Sequence, residues 1–150
     1  MTDHKESKGI FLTVDIVIIS KDGYVVLINR KNPPFQDKLV FPGGHVDLAD
    51  RSIIHAAQRE AREEVSKRFK LADFRILPIV LDHPDRDPRK SGRRISIVTL
   101  VVAETKEGLK GLKASDDAKT LYIVPIKFLT RKKMGFDHYR VIEYLRENVI

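Results

Sequence analysis

The sequence predicts an α/β sandwich, with two main helices laid on a mixed β-sheet. Three observations point there. Runs dominated by β-branched residues recur along the chain, most clearly at 10–20 and 94–104. Only two long stretches, 53–67 and 137–147, carry helical character. The helices do not alternate regularly with strands, which excludes a βαβ repeat. The 150 residues, 42% apolar and 33% charged, suit a single domain spanning 1–150 rather than a fibrous or disordered chain.

Each element follows from its local pattern. IFLTVDIVIIS, residues 10–20, is a buried strand interrupted only by Asp15. Lys21-Asp22-Gly23 turns the chain into a second strand at 24–29, forming a hairpin. Pro33-Pro34 keeps 30–38 irregular. Leu39-Val40-Phe41 makes a short strand stopped by Pro42, then Gly43-Gly44 and a loop at 45–50. Ser52 caps the first helix, expected over 53–67, with Ile54, Ala57, Ala61 and Val65 on its apolar face. Strands are expected at 74–81, 94–104 and 121–124. Charged loops fill 82–93 and 105–120, and a helical turn starts at Pro125. Asp137 is expected to cap the last helix, with Phe136 and Val141 as a hydrophobic staple.

Composition narrows the chemistry. There is no cysteine, which excludes disulfides, a thiol nucleophile and thiolate metal sites, and fits a cytoplasmic location. The N-terminal MTDHKESKG has no apolar signal-peptide region. No apolar stretch approaches the ~20 residues of a membrane span. The net charge of +7 favours anionic partners, nucleic acid or small phosphates. Aromatic and basic residues do not interleave as a stacking platform requires, and no helix-turn-helix with a basic recognition helix is visible, so no nucleic-acid partner is expected.

The sharpest signal is Arg59-Glu60-Ala61-Arg62-Glu63-Glu64. On a helix, Glu60 and Glu64 lie one turn apart on the same side, with Glu63 one residue off that line. Such crowding is unfavourable unless positive charge offsets it. Arg59 and Arg62 do so in part, and a hard divalent cation with oxygen ligands would do so better. Read alone, the segment is equally a solvated charged helix. Gly43-Gly44 is either a tight turn or a place where backbone approaches a ligand closely.

The stretch GGHVDLADRSIIHAAQREAREEVS resembles the signature box of the Nudix hydrolases, which cleave a nucleoside diphosphate linked to another moiety using divalent metal ions. Gly44 matches its first glycine; Arg59, Glu60, Ala61, Glu63 and Glu64 match its core. The resemblance implies a Nudix-type αβα sandwich with Mg2+ held by Glu60 and Glu64, assisted by Glu63 and the Gly44 carbonyl, and with Mn2+ able to substitute. Arg59 would orient the box by pairing with the box's first acid. That acid is Asp50 here, or is lost if Arg51 takes its place. The span from Gly44 to Arg59 is one residue longer than the pattern, so a one-residue bulge is expected.

Residues 14–30, Pro33-Pro34-Phe35, the loop 83–89, Asp116-Asp117-Ala118 and Phe136-Asp137-His138 resemble the ADP-ribose pyrophosphatase branch. That resemblance implies hydrolysis of ADP-ribose to AMP and ribose 5-phosphate. Asp117 is the favoured base among Glu104, Glu107, Asp116 and Asp117, with Glu64 itself the simpler alternative. Arg30, Arg86 and Arg89 are candidate phosphate contacts. Alternating Asp85, Arg86, Asp87 and Arg89 equally suit a loop latched by its own ion pairs. Phe41 either stacks on adenine or faces the core, and His138 is a structural partner for the loop. Members of the family often dimerise, so a homodimer is expected. The alternatives are hydrolysis of NADH, a dinucleoside polyphosphate or an oxidised nucleoside triphosphate, and a non-enzymatic sensor of ADP-ribose-like ligands.

Overall fold

The computed structural model describes residues 9–89, 91–112 and 120–149. Strand β1 (Ile10–Ser20) is the axis of the molecule. Along one edge it pairs in parallel with β6 (Arg93–Ala103), in register from Ile10↔Arg93 to Ser20↔Ala103. β5 (Arg75–Leu81) then adds antiparallel to β6. Along the other edge β1 meets β2 (Tyr24–Asn29) only near the turn, at Ile19↔Val25.

Beyond that point the two strands splay, and the segment 39–45 fills the gap. β3 (Leu39–Val40) pairs with β2, and β4 (Gly43–His45) pairs with β1 through Thr13↔His45, Val14↔Gly44 and Asp15↔Gly43. The Ile16 N–H donates to the Pro42 carbonyl at 2.8 Å, tying the crossover to β1. β7 (Thr120–Pro125) closes the far edge of β2. Among the described residues the sheet has seven strands, with a single parallel strand pair among antiparallel ones.

Strand periodicity sends alternate residues of β1 to opposite faces. Ile16 and Ile18 pack with Val26, Ala57, Ala61 and Val65 under α1 (Ile53–Glu64). Val17 and Ile19 pack with Leu27, Leu100, Val141 and Leu145 under α2 (Tyr139–Asn148). The result is the expected αβα sandwich.

Four local readings are corrected. Residues 43–45, expected as turn and loop, are a strand, because the splay of β1 and β2 leaves β1 an open edge. Helix α1 stops at Glu64 rather than near Lys67. The Val65 and Ser66 N–H groups both donate to the Ala61 carbonyl, and Val65 leaves helical geometry at φ −122°. Helix α2 starts at Tyr139, and Asp137 does not cap it, because its carboxylate is held by Arg86. The Phe136 ring packs 4.7 Å from Phe35 instead of stapling to Val141. The Ser52 cap is as expected, with its hydroxyl accepting the His55 N–H at 3.0 Å.

Candidate active site

The site lies where β4 crosses the gap between β1 and β2. On the α1 side, Glu60 is 92% buried, at 8% exposure, with its carboxylate against Gly44. A Cβ on Gly44 would overlap that carboxylate, and a Cβ on Gly43 would overlap the Val14 carbonyl. Neither glycine has the positive φ of a tight turn. Close approach is therefore what requires them. The Gly43 N–H donates to Glu64 Oε2 at 3.3 Å, so both glutamates converge on the glycine strand.

Arg59 organises this side. Its Nε and Nη2 donate to Asp50 Oδ1 and Oδ2 at 3.0 and 2.9 Å, a two-point clasp. Nη2 also reaches the His45 carbonyl at 2.9 Å, and Nη1 reaches Glu60 Oε1 at 2.9 Å and Glu63 Oε2 at 3.5 Å. Asp50, not Arg51, thus occupies the position of the box's first acid. Helix α1 is regular from Ile53 to Glu64, so the extra residue lies ahead of it. The Arg59 clasp holds the Asp50 carboxyl down at about 2, and Arg59 itself is raised by the same hydrogen bonds. Burial pushes Glu60 above the usual carboxylate range and the Glu64 charge adds to this, against the pull of Arg59.

That is the electrostatic state expected of a carboxylate that lacks enough positive charge nearby. Among the described residues, no three carboxylate or imidazole groups converge closely enough to hold a metal ion. The donor set nevertheless suits a hard divalent cation: oxygen ligands only, with Glu60 seated in a glycine cradle beside Glu64. Glu63 is more peripheral, its side chain 58% exposed.

The opposite side of β4 opens onto a cavity of about 200 Å3. Arg30, Arg86, Arg89 and Arg94 line it, with Asp15, Asp87, His45 and His138. The expected arginines take different roles. Arg30 donates from Nε to the Pro34 carbonyl at 2.6 Å, and its guanidinium lies 5.1 Å from the Phe136 ring centre. Arg89 pairs with Asp87 within the loop, at 2.5 Å from Nη2 to Oδ2. Arg86 reaches out of the loop to clasp Asp137 at 3.0 and 2.9 Å, fixing the loop to the start of α2. Phe41 is 3% exposed and packs in the core, and it also borders the cavity. Asp116 and Asp117 lie outside the described residues.

Two cavity residues, Asp15 and Arg94, have no site reading in the sequence, and His138, expected as a structural partner of the loop, lines the cavity with them. Asp15 projects from β1 to the cavity floor, where the Ser96 hydroxyl donates to it at 2.6 Å and His138 Nε2 lies 3.3 Å away. Burial raises its pKa, but His138 and Ser96 more than offset this and hold it below the usual range. The Phe41 N–H donates to His138 Nδ1 at 3.1 Å, so His138 ties α2 to both β1 and the segment before β4. Arg94, from β6, donates through Nε to His45 Nε2 at 3.2 Å. In the sequence Asp15 is legible only as a lone acid in an apolar strand, and His138 only through the resemblance of Phe136-Asp137-His138. His138 and Arg94 reach the site through pairings remote in sequence.

The NUDIX domain model matches residues 10–145. The chain belongs to the NUDIX family. Among curated proteins it is 38% identical over 130 residues to the ADP-ribose pyrophosphatase of Methanocaldococcus jannaschii, covering 86% of this chain and 70% of that protein. Among solved structures it resembles a bifunctional NMN adenylyltransferase/ADP ribose pyrophosphatase from Francisella tularensis, complexed with AMP and a Mn ion. The TM-score is 0.73 and the identity 31%, over 91% of this chain. The match spans only 41% of the Francisella chain. The NUDIX domain of Shewanella oneidensis NrtR, complexed with ADP ribose, superposes with a TM-score of 0.77 at 22% identity, covering 99% of this chain and 94% of that one; this likeness speaks for the fold alone. Among the described residues no helix is long and apolar enough to cross a membrane.

Proposed function

We propose that this chain, a Nudix-type hydrolase by family, hydrolyses the diphosphate link of ADP-ribose to AMP and ribose 5-phosphate. The observation that carries the reading is the juxtaposition across β4. Carboxylates crowd one side of a two-glycine strand, and a cavity lined by four arginines opens on the other. The name of the Methanocaldococcus relative supports the choice of substrate.

Glu60 and Glu64, with Glu63 and the Gly44 carbonyl assisting, would hold the divalent cation, Mg2+ or in its place Mn2+. That cation would neutralise phosphate charge and help activate the attacking water. The chain supplies the rest. Arg59 holds Glu60 and Asp50 in place, so the carboxylates are positioned before substrate arrives. Cavity arginines favour the anionic diphosphate and offset the charge that moves onto the leaving phosphate. Water adds to one phosphorus, the bridging P–O bond breaks, and the bridging oxygen departs with the other phosphate. Asp117 is the proposed acceptor of the water proton, with Glu64 the alternative. The same reading makes residues 1–150 a single domain that works as a homodimer in the cytoplasm, the dimer being checkable by light scattering.

The test is product analysis on ADP-ribose beside NADH, a diadenosine polyphosphate and oxidised dGTP, with Mg2+ and with EDTA. The proposal expects AMP and ribose 5-phosphate from ADP-ribose, abolished by EDTA. Faster turnover of another substrate, or none of ADP-ribose, overturns it.

A further inference from the structure

We propose that Arg94 is a phosphate-binding residue on the basic side of the sheet, with a guanidinium N–H placed to donate to an oxygen of the substrate's diphosphate. The residue sits on β6 directly beside Phe11 of β1 and is 9% exposed. Three contacts fix its head group. Nε donates to His45 Nε2 at 3.2 Å, and Nη2 donates to the Ser91 hydroxyl at 3.1 Å. The guanidinium also lies 5.3 Å from the centre of the Phe11 ring, which itself meets the His45 ring edge-on at 5.7 Å. Its Nη1 is buried and has no hydrogen-bond partner.

A buried charged donor left without an acceptor is unfavourable, and native structures rarely keep one without a use. The neighbouring arginines sharpen the contrast. Arg86 and Arg89 are paired with Asp137 and Asp87, whereas among the described residues no carboxylate forms an ion pair with Arg94. The unsatisfied donor therefore belongs to a residue that lines the cavity.

Location selects the ligand chemistry. His45, the hydrogen-bond partner of Arg94, follows Gly44, against which the Glu60 carboxylate rests. Arg94 therefore stands across β4 from the proposed cation ligands, where a diphosphate passing over the glycine strand would be met from both sides. A phosphate oxygen satisfies both the charge and the hydrogen-bond geometry of a guanidinium, whereas a neutral group would leave the charge unbalanced. This inference rests on the proposed diphosphate substrate, but its test does not require hydrolysis.

The test is binding of ADP and of adenosine to the full chain in EDTA, by calorimetry and chemical-shift titration, for wild type, R94Q and R94K. The expected result is a loss of ADP affinity of about tenfold or more in R94Q, the size of one charged hydrogen bond. R94K, which keeps the charge without the fork, should lie between, and adenosine affinity should not change. Wild-type ADP affinity in R94Q overturns the proposal. So does equal weakening of ADP and adenosine, which would mark a purely structural role. If ADP-ribose proves not to be hydrolysed while ADP affinity still falls in R94Q, the activity proposed above fails and this binding role stands.

Discussion

The two sides of β4 handle buried charge in opposite ways. On the α1 side one arginine, Arg59, serves Asp47, Asp50, Glu60 and Glu63, and Glu60 is left with its ionised form disfavoured. On the α2 side arginine is plentiful. Arg86 and Arg89 each have their own aspartate, and Arg94 retains an unpartnered donor. One side therefore calls for a cation and the other for an anion, with only the backbone of Gly43 and Gly44 between them. A diphosphate carrying a divalent cation is a ligand whose two parts match these demands. Arg59–Asp50 and Arg86–Asp137 are two-point ion pairs that tie loop to helix, and the proposed function assigns the chemistry to Glu60, Glu64 and Arg94.

The largest effect should come from E64Q. It keeps the shape of the side chain but removes the charge proposed to hold the cation. Turnover should fall by more than about a hundredfold, beyond the 10–100-fold typical of residues that merely support a ligand. Steady-state assays with Mg2+ read this directly, and unchanged turnover would break the contrast on its acidic side.

Next come the two structural clasps. In R59A the Asp50 side chain, 2% exposed, loses its arginine and keeps only the Asp47 N–H and His55; in R86A Asp137, 15% exposed, loses its arginine. Each should lower unfolding free energy by about 3 kcal/mol, the usual result of breaking a buried pair. Urea denaturation measures both. R59A should also weaken cation binding, because it frees Glu60, while R86A should leave cation binding intact. Equal effects on the cation would show that the two sides are not separate devices.

Smaller effects come from pH. Asp50 has its folded pKa depressed to about 2 from the usual 3.8, so the stability it contributes is present above pH 4 and lost as pH falls toward 2. Glu60 has the opposite sign. Its raised folded pKa means that stability declines as pH rises past the ordinary glutamate value of 4.5 and the buried carboxylate ionises. Thermal melts from pH 2 to 7 should show the acid limb removed in D50N and the upper limb flattened in E60Q. An acid limb unchanged in D50N would contradict the clasp.

Much of this was legible in the sequence. Hydrophobic pattern gave β1, β6 and both helices, because long periodic runs depend little on the remainder of the fold. The box spacing gave Arg59, Glu60 and Glu64, because residues one helical turn apart meet wherever the helix packs. The glycine pair reads as either a tight turn or a close backbone approach, and its strand is not legible because it forms only once β1 and β2 splay, a tertiary event. The cavity was half legible for the same reason. Arg30 and the 83–89 loop stood out by local composition, but Asp15, His138 and Arg94 meet only through the parallel β1–β6 pairing and the docking of α2. Asp137 looked like a cap from its position alone, yet Arg86, 51 residues away, takes its carboxylate.

The central claim is that crowded carboxylates on α1 are arranged for a divalent cation. The most direct measurement is Mn2+ binding followed by electron paramagnetic resonance, without nucleotide, in wild type, E60Q and G44A. The account predicts saturable Mn2+ binding in wild type, at least about tenfold weaker in E60Q, and also weakened in G44A because the added methyl displaces the Glu60 carboxylate. Equal Mn2+ affinity in all three proteins would contradict it.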